Sequence, residues 1–103
     1  MAQYDVYRNP SERTRRAIPL LLSVQHDTIS ETASVVMIPL VTPLKSGRSS
    51  RLYPQFAIGG KEYTLLTPDL ASLPRSVLGE PVANLSAERD KIVAALDILL
   101  VGS

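Results

Sequence analysis

The chain has 103 residues, with eleven Lys and Arg against ten Asp and Glu, a net charge of +1, and no cysteine. This length makes one domain over residues 1–103, and a net charge near zero excludes a global field that would by itself draw nucleic acid. Lack of cysteine excludes disulfides and thiolate chemistry; with no leader-like segment and no apolar run of about eighteen residues, the expected setting is the cytoplasm, with no membrane partner.

Tyr4-Asp5-Val6-Tyr7 is rich in strand-favouring residues and runs into the turn signal Arg8-Asn9-Pro10-Ser11, which predicts a first strand ending there. Ile18 to Val24 is too short and too punctuated for a helix and reads as a buried strand with Pro19 near its start. Val35 to Val41 is again strand-like, and Pro39 within it predicts an edge position or a bulge. Thr42 to Arg51, with Pro43, Gly47 and three serines among basic residues, predicts a long exposed loop. Gln55 to Ile58 and Lys61 to Leu66 flank Gly59-Gly60, the pair a two-residue hairpin turn requires because glycine reaches positive φ freely.

Between Pro68 and Pro74 the segment Asp69 to Leu73 reads as a compact corner, with short strands expected at Val77-Leu78 and Val82-Ala83. Ser86 is the expected N-cap of a terminal helix, with Glu88 and Asp90 in its first turn, where the helix dipole favours carboxylates. From Ile92 to Val101 only Asp97 is polar. The stripe Ile92, Ala95, Leu96 and Leu99 suffices to face a core. Val93, Ile98, Leu100 and Val101 are then left for another surface, as in a subunit that associates with itself or with a partner. Short strands followed by one helix predict a mainly β fold: a small antiparallel sheet or partly open barrel with a C-terminal helix across it.

Catalytic signals are sparse. His26 is the only histidine and no Gly-x-Ser-x-Gly elbow presents a serine, so the expectation is a protein that is not an enzyme. One histidine without cysteine argues against a metal site, and Gly59-Gly60 lacks the lysine and helix start of a phosphate cradle, so no cofactor is expected. The basic residues fall into two groups: Arg8, Arg13, Arg15 and Arg16 in the first connection, and Lys45, Arg48 and Arg51 in the loop. These serve solubility, or they pair with an acidic, disordered partner, because guanidinium groups grip carboxylates in pairs of hydrogen bonds; phosphate contacts are a third reading, supported by charge but not by interleaved aromatics.

Asp5-Val6-Tyr7, Val24-Gln25-His26-Asp27, Met37-Ile38-Pro39-Leu40, Leu52-Tyr53-Pro54, Thr67-Pro68-Asp69-Leu70-Ala71-Ser72-Leu73-Pro74, Val77-Leu78-Gly79-Glu80 and Leu85-Ser86 occur in an order and spacing that resembles the CcdB family of toxins over nearly the whole chain. The resemblance implies an SH3-like barrel with a long C-terminal helix, assembled as a homodimer. It also implies the toxin of a type II toxin-antitoxin module, which binds the A subunit of DNA gyrase and traps it on cleaved DNA without catalysis. A CcdA-like antitoxin would neutralise it through a segment that folds on binding, with Arg8, Arg13, Arg15 and Arg16 as candidate contacts, and operator DNA would be bound only in the joint complex. Carried over by position, the gyrase-facing residues are Thr28, Ile29, Asp97, Leu100, Val101, Gly102 and Ser103. The family pattern closes on an aromatic pair followed by Gly-Ile, whereas this chain closes on Leu100-Val101-Gly102-Ser103; Thr28 and Asp97 stand where the pattern has isoleucine and asparagine. The alternative is a non-toxic homologue that keeps dimerisation and antitoxin or operator binding.

Overall fold

The computed structural model describes residues 2–27, 32–43 and 50–102. Among these residues seven strands form one antiparallel sheet: β1 (Asp5–Arg8), β2 (Leu20–Ser23), β3 (Ser34–Val41), β4 (Gln55–Ile58), β5 (Lys61–Leu65), β6 (Ala71–Pro74) and β7 (Ala83–Asn84). The spatial order is β4-β5-β3-β2-β1-β7, and β6 adds to β3 beside β5. The sheet curls into a nearly closed barrel, because residues at opposite ends of that order, Ile58 and Lys61 on one side and Val82 and Ala83 on the other, line a single groove. One helix, α1 (Arg89–Val101), follows.

Both faces of the central strands are buried, which is why β2 and β3 read as continuous apolar runs rather than as alternating ones. Val6, Leu22, Ile38, Leu40, Phe56 and Leu65 point to the helix side and enclose Ile92. Tyr7, Leu21, Val35 and Met37 point to the opposite side, under Ile18, Leu73 and Leu78. The second face is incompletely covered, leaving an apolar cleft of about 220 Å³ between Ile18, Leu21, Met37, Pro39 and Leu73.

Pro39 is on neither an edge nor a bulge. It pairs with Leu21 inside the sheet, at the point where the other side of β3 changes partner from β6 (Met37↔Ala71) to β5 (Leu40↔Leu65). Its carbonyl accepts a hydrogen bond from Leu66 N–H at 2.9 Å. Nitrogen and oxygen of one strand residue point to the same side, so the missing N–H faces the changeover, where no strand is present to receive it. The compact corner expected at Asp69 to Leu73 is a 3-10 turn, Thr67–Asp69, followed by strand β6 in register with Ser34 to Met37. Ala71 and Ser72 carry no strand-favouring side chain, so the segment is held by its backbone ladder and by Leu73 against the second core. Val77 ends a 3-10 turn rather than joining a strand, while the expected strand near Val82-Ala83 is β7.

Gly59 and Gly60 have φ of 59° and 83°, as the hairpin between β4 and β5 demands. Ser86 does not cap the helix: a 3-10 turn over Ser86–Glu88 precedes α1, and Asn84 Oδ1 accepts Ser86 N–H at 2.8 Å. An Asx turn at Asn84 thus leads the chain into the 3-10 turn, and no side chain caps α1 itself. Lys91 fastens α1 to the sheet: Nζ donates to the Gln55 carbonyl at 2.6 Å, lies 4.5 Å from the centre of the Phe56 ring and is 3.8 Å from Glu88. At the other end of the sheet, buried Asp5 accepts from Ala2 N–H and Asn84 Nδ2, both at 2.9 Å, and from the Tyr7 hydroxyl at 3.5 Å.

Ile92 is fully buried at the junction of helix and sheet. Ile92→Ala is expected to cost about 2–5 kcal/mol of unfolding free energy in a urea titration. Burial, with the negative charge of Asp5 beside it, raises the Tyr7 hydroxyl above the ordinary tyrosine value. The folded state thus holds this proton more tightly than the unfolded chain. The resulting stabilisation is complete below about pH 10, the unfolded value, and is lost as pH rises through the folded one. Urea midpoints measured on either side of that pH should fall at the alkaline end, and Tyr7→Phe should lessen the fall.

Candidate functional site

Two surfaces gather the residues singled out by the sequence. The first is the end of α1. Ile92 and Ala95 are buried and Leu96 packs on the main core, while Val93, Ile98 and Leu99 are half-buried. The expected second apolar face therefore contracts to two fully presented residues, Leu100 at 71% and Val101 at 75% exposure, the most exposed large hydrophobics among the described residues. Asp97 is exposed on the same terminal turns. Gly102 stops the helix with φ of 89°, and its N–H is shared between the carbonyls of Asp97 at 3.0 Å and Ile98 at 3.1 Å. This is the left-handed glycine cap, which satisfies carbonyls that would otherwise be left open at the helix end. Asp97, Leu100, Val101 and Gly102 are thus brought together; Thr28, Ile29 and Ser103 lie outside the described residues.

The second surface is the connection between β1 and β2, organised around one buried side chain. Asn9 N–H donates to the Pro19 carbonyl at 3.0 Å, and its Nδ2 donates to Thr14 Oγ1 at 2.9 Å and to the Ile18 carbonyl at 2.8 Å. Its Oδ1 accepts Ser11 N–H at 3.0 Å, and its carbonyl accepts Arg15 Nε at 2.7 Å. Burying an amide is tolerated because every polar group finds a partner.

Arg15 is therefore a brace of the loop as well as a charge, since its second nitrogen also reaches the Pro10 carbonyl at 3.4 Å. Of the four arginines, Arg8 and Arg15 line the groove at the mouth of the barrel, whereas Arg13 and Arg16 do not. Arg8, Arg13 and Arg16 are exposed and make no ion pair with another described residue. Lys45 and Arg48 lie outside the described residues; Arg51 is exposed.

The groove has a volume of about 540 Å³. Pro19, Leu20, Ile58, Val82 and Ala83 form its apolar lining, with Tyr63 beside them, and Arg8, Arg15 and Lys61 supply three cations. Sequence reading missed Lys61 and Val82 as site residues. Their only local signals are a lysine after a Gly-Gly turn and a valine before a short strand, and it takes curling of the sheet to bring them together. His26 and Asp27 are both exposed, and the Asp27 carboxylate accepts Gln3 N–H. Among the described residues no cluster of His, Cys, Asp and Glu could hold a metal ion, and no helix is long and apolar enough to cross a membrane.

Because Leu100 and Val101 are largely exposed, Leu100→Gln with Val101→Gln should change unfolding free energy by no more than about 0.5 kcal/mol per site. A larger loss in urea titration would mean that the fold covers this end.

Comparison with known proteins agrees with this architecture. A family model described as CcdB protein matches residues 3–102. A solved structure described as an endoribonuclease in complex with its cognate antitoxin, from Mycobacterial species, superposes with a TM-score of 0.77 at 21% sequence identity. The match covers 98% of this chain and 95% of that one. At that identity the likeness is one of fold.

Proposed function

The chain belongs to the CcdB family, and from that membership we propose that it is the toxin of a type II toxin-antitoxin module, acting by binding the A subunit of DNA gyrase rather than by catalysis. The observation that carries this reading is the end of α1: Leu100 and Val101 are 71% and 75% exposed, with Asp97 exposed beside them and a left-handed glycine ending the helix. These are positions that the resemblance to the family implies as a contact with gyrase, and their exposure supports that reading. Two large hydrophobics held in water by a rigid helix are the arrangement expected of a binding anchor.

The family pattern has an aromatic pair where this chain has Leu100-Val101. Aromatic anchors bury more surface and dominate interfaces, so the aliphatic pair makes a weaker contact with a gyrase suited to aromatics. The kept residue, Gly102, has a backbone role that no other residue type fills as readily, because it sits at positive φ.

The partner side of the proposal is a homodimer neutralised by an acidic antitoxin segment that folds on binding, with operator DNA bound only in the joint complex. Arg8 at the end of β1 and Arg13 and Arg16 on the connection after it, exposed and in no ion pair among the described residues, support an anionic partner. The relative of similar fold, itself in complex with its cognate antitoxin, supports the pairing as well.

The test incubates purified protein with gyrase, supercoiled DNA and ATP, and scores linear DNA after detergent and protease treatment. Linear DNA is expected above the control without protein, and Leu100→Gln with Val101→Gln should reduce it about tenfold or more. Leu100→Phe with Val101→Trp should lower the concentration needed by about thirtyfold, the equivalent of about 2 kcal/mol. No linear DNA from the unaltered chain, with tight binding of an antitoxin retained, would replace this reading with that of a non-toxic homologue.

A further inference from the structure

We propose that the groove where the barrel fails to close is a second binding surface, distinct from the end of α1, and that its occupant is an extended peptide carrying both acidic and aliphatic side chains. The proposal extends the partner half of the reading above by giving that partner a location; the groove's chemistry does not depend on gyrase.

Three observations define the occupant. First, the charged residues lining the groove are Arg8, Arg15 and Lys61, with no carboxylate among them, so it selects anions. Arg15 is held in place by the carbonyls of Asn9 and Pro10, so its charge is presented with little further loss of side-chain freedom. Second, the apolar lining is aliphatic: Leu20, Ile58, Val82 and Ala83, with Val82 58% exposed. Nucleic acid bases are gripped by aromatic platforms, and Tyr63 alone supplies one here; aliphatic peptide side chains fit this lining better.

Third, the strands flanking the gap are the two ends of the sheet. Among the described residues β4 pairs only with β5 and β7 only with β1, so each has a free side offering N–H and C=O groups to an added extended segment. Acids along the cationic rim, aliphatic side chains on the floor and main-chain hydrogen bonds at an edge are three complementary modes that one short segment can satisfy together.

The experiment measures fluorescence anisotropy of a labelled twelve-residue peptide alternating Glu with Leu or Val, titrated with the full chain at low salt. Its comparisons are the same peptide with Gln for Glu and a single-stranded DNA dodecamer. The acidic peptide is expected to bind at least about tenfold more tightly than either, and Arg8→Glu with Lys61→Glu should weaken it about tenfold or more. Val82→Gln should weaken it about threefold or more without changing its salt dependence. Arg13→Glu with Arg16→Glu makes the same change of net charge outside the groove and should weaken it less than about threefold. Circular dichroism melting of each variant verifies that the fold is kept, as the substituted residues are exposed.

The proposal is overturned if the acidic peptide does not bind or if the DNA strand binds as tightly. It is also overturned if the Arg13 and Arg16 reversals weaken binding as much as those of Arg8 and Lys61. Peptide binding without DNA cleavage would keep the groove and remove the gyrase reading; cleavage without peptide binding would do the reverse.

Discussion

Strand β3 sets the architecture, because among the described residues it alone pairs with three other strands. Its eight residues take β2 along one side and divide the other between β6 and β5. Such a division leaves a gap where the partner changes, and an unpaired backbone N–H inside a buried sheet would cost about as much as a lost hydrogen bond. Pro39 occupies that gap and has no N–H to lose, while its carbonyl is satisfied by Leu66. The residue that would terminate a sheet elsewhere permits this one to turn: the Thr67–Asp69 turn sits at the changeover and lets β6 leave the line of β5.

From that centre the two faces follow. The helix side is closed by α1 through Ile92 and Ala95 and by Lys91 reaching the Gln55 carbonyl. The opposite side is closed in part by the connection between β1 and β2, which is irregular and so must satisfy its own backbone. Asn9 does this from within: its side-chain amide ties Ser11, Thr14 and Ile18, and its main chain bonds Arg15 and Pro19. Arg15 is in turn presented from the main-chain carbonyls of Asn9 and Pro10, which that buried amide holds in place. The basic character of the loop is visible at its surface, but its geometry is decided by a residue with no charge.

Much of this was legible in the sequence, and the failures share a cause. Strands β1, β2 and β3 and the Gly59-Gly60 hairpin announce themselves through side chains: β-branched runs, apolar content and glycines at positive φ. Strand β6 was missed because Ala71-Ser72-Leu73-Pro74 has little local preference for a strand and is recruited by the edge of β3. Pro39 was misplaced because a proline reports its missing donor but not the direction in which the donor would have pointed. Ser86 has the residue type of a cap, but the 3-10 turn that begins with it keeps it away from the start of α1, and its own N–H is bonded by Asn84 two residues earlier. The end of α1 was legible as an excess of apolar residues over what one core requires. The groove was not, because Arg8, Lys61 and Val82 come from separate segments and only the curl of the sheet makes them neighbours.

The helix end separates stability from recognition. Core residues such as Ile92 answer to the fold, but Leu100 and Val101 contact little of it, and Gly102 ends the helix whatever precedes it. Fully burying a leucine or valine is worth about 1.5–3 kcal/mol, against an association cost of about 4–15 kcal/mol. Two aliphatic residues at the lower end of that scale cannot hold a large partner by themselves. Any tight complex formed here has to recruit further surface, either from neighbouring residues such as Asp97 or by engaging two copies of the helix end at once, where the second contact forms at high effective concentration. Aliphatic anchors thus make affinity depend on the assembly presenting them more than aromatic anchors would.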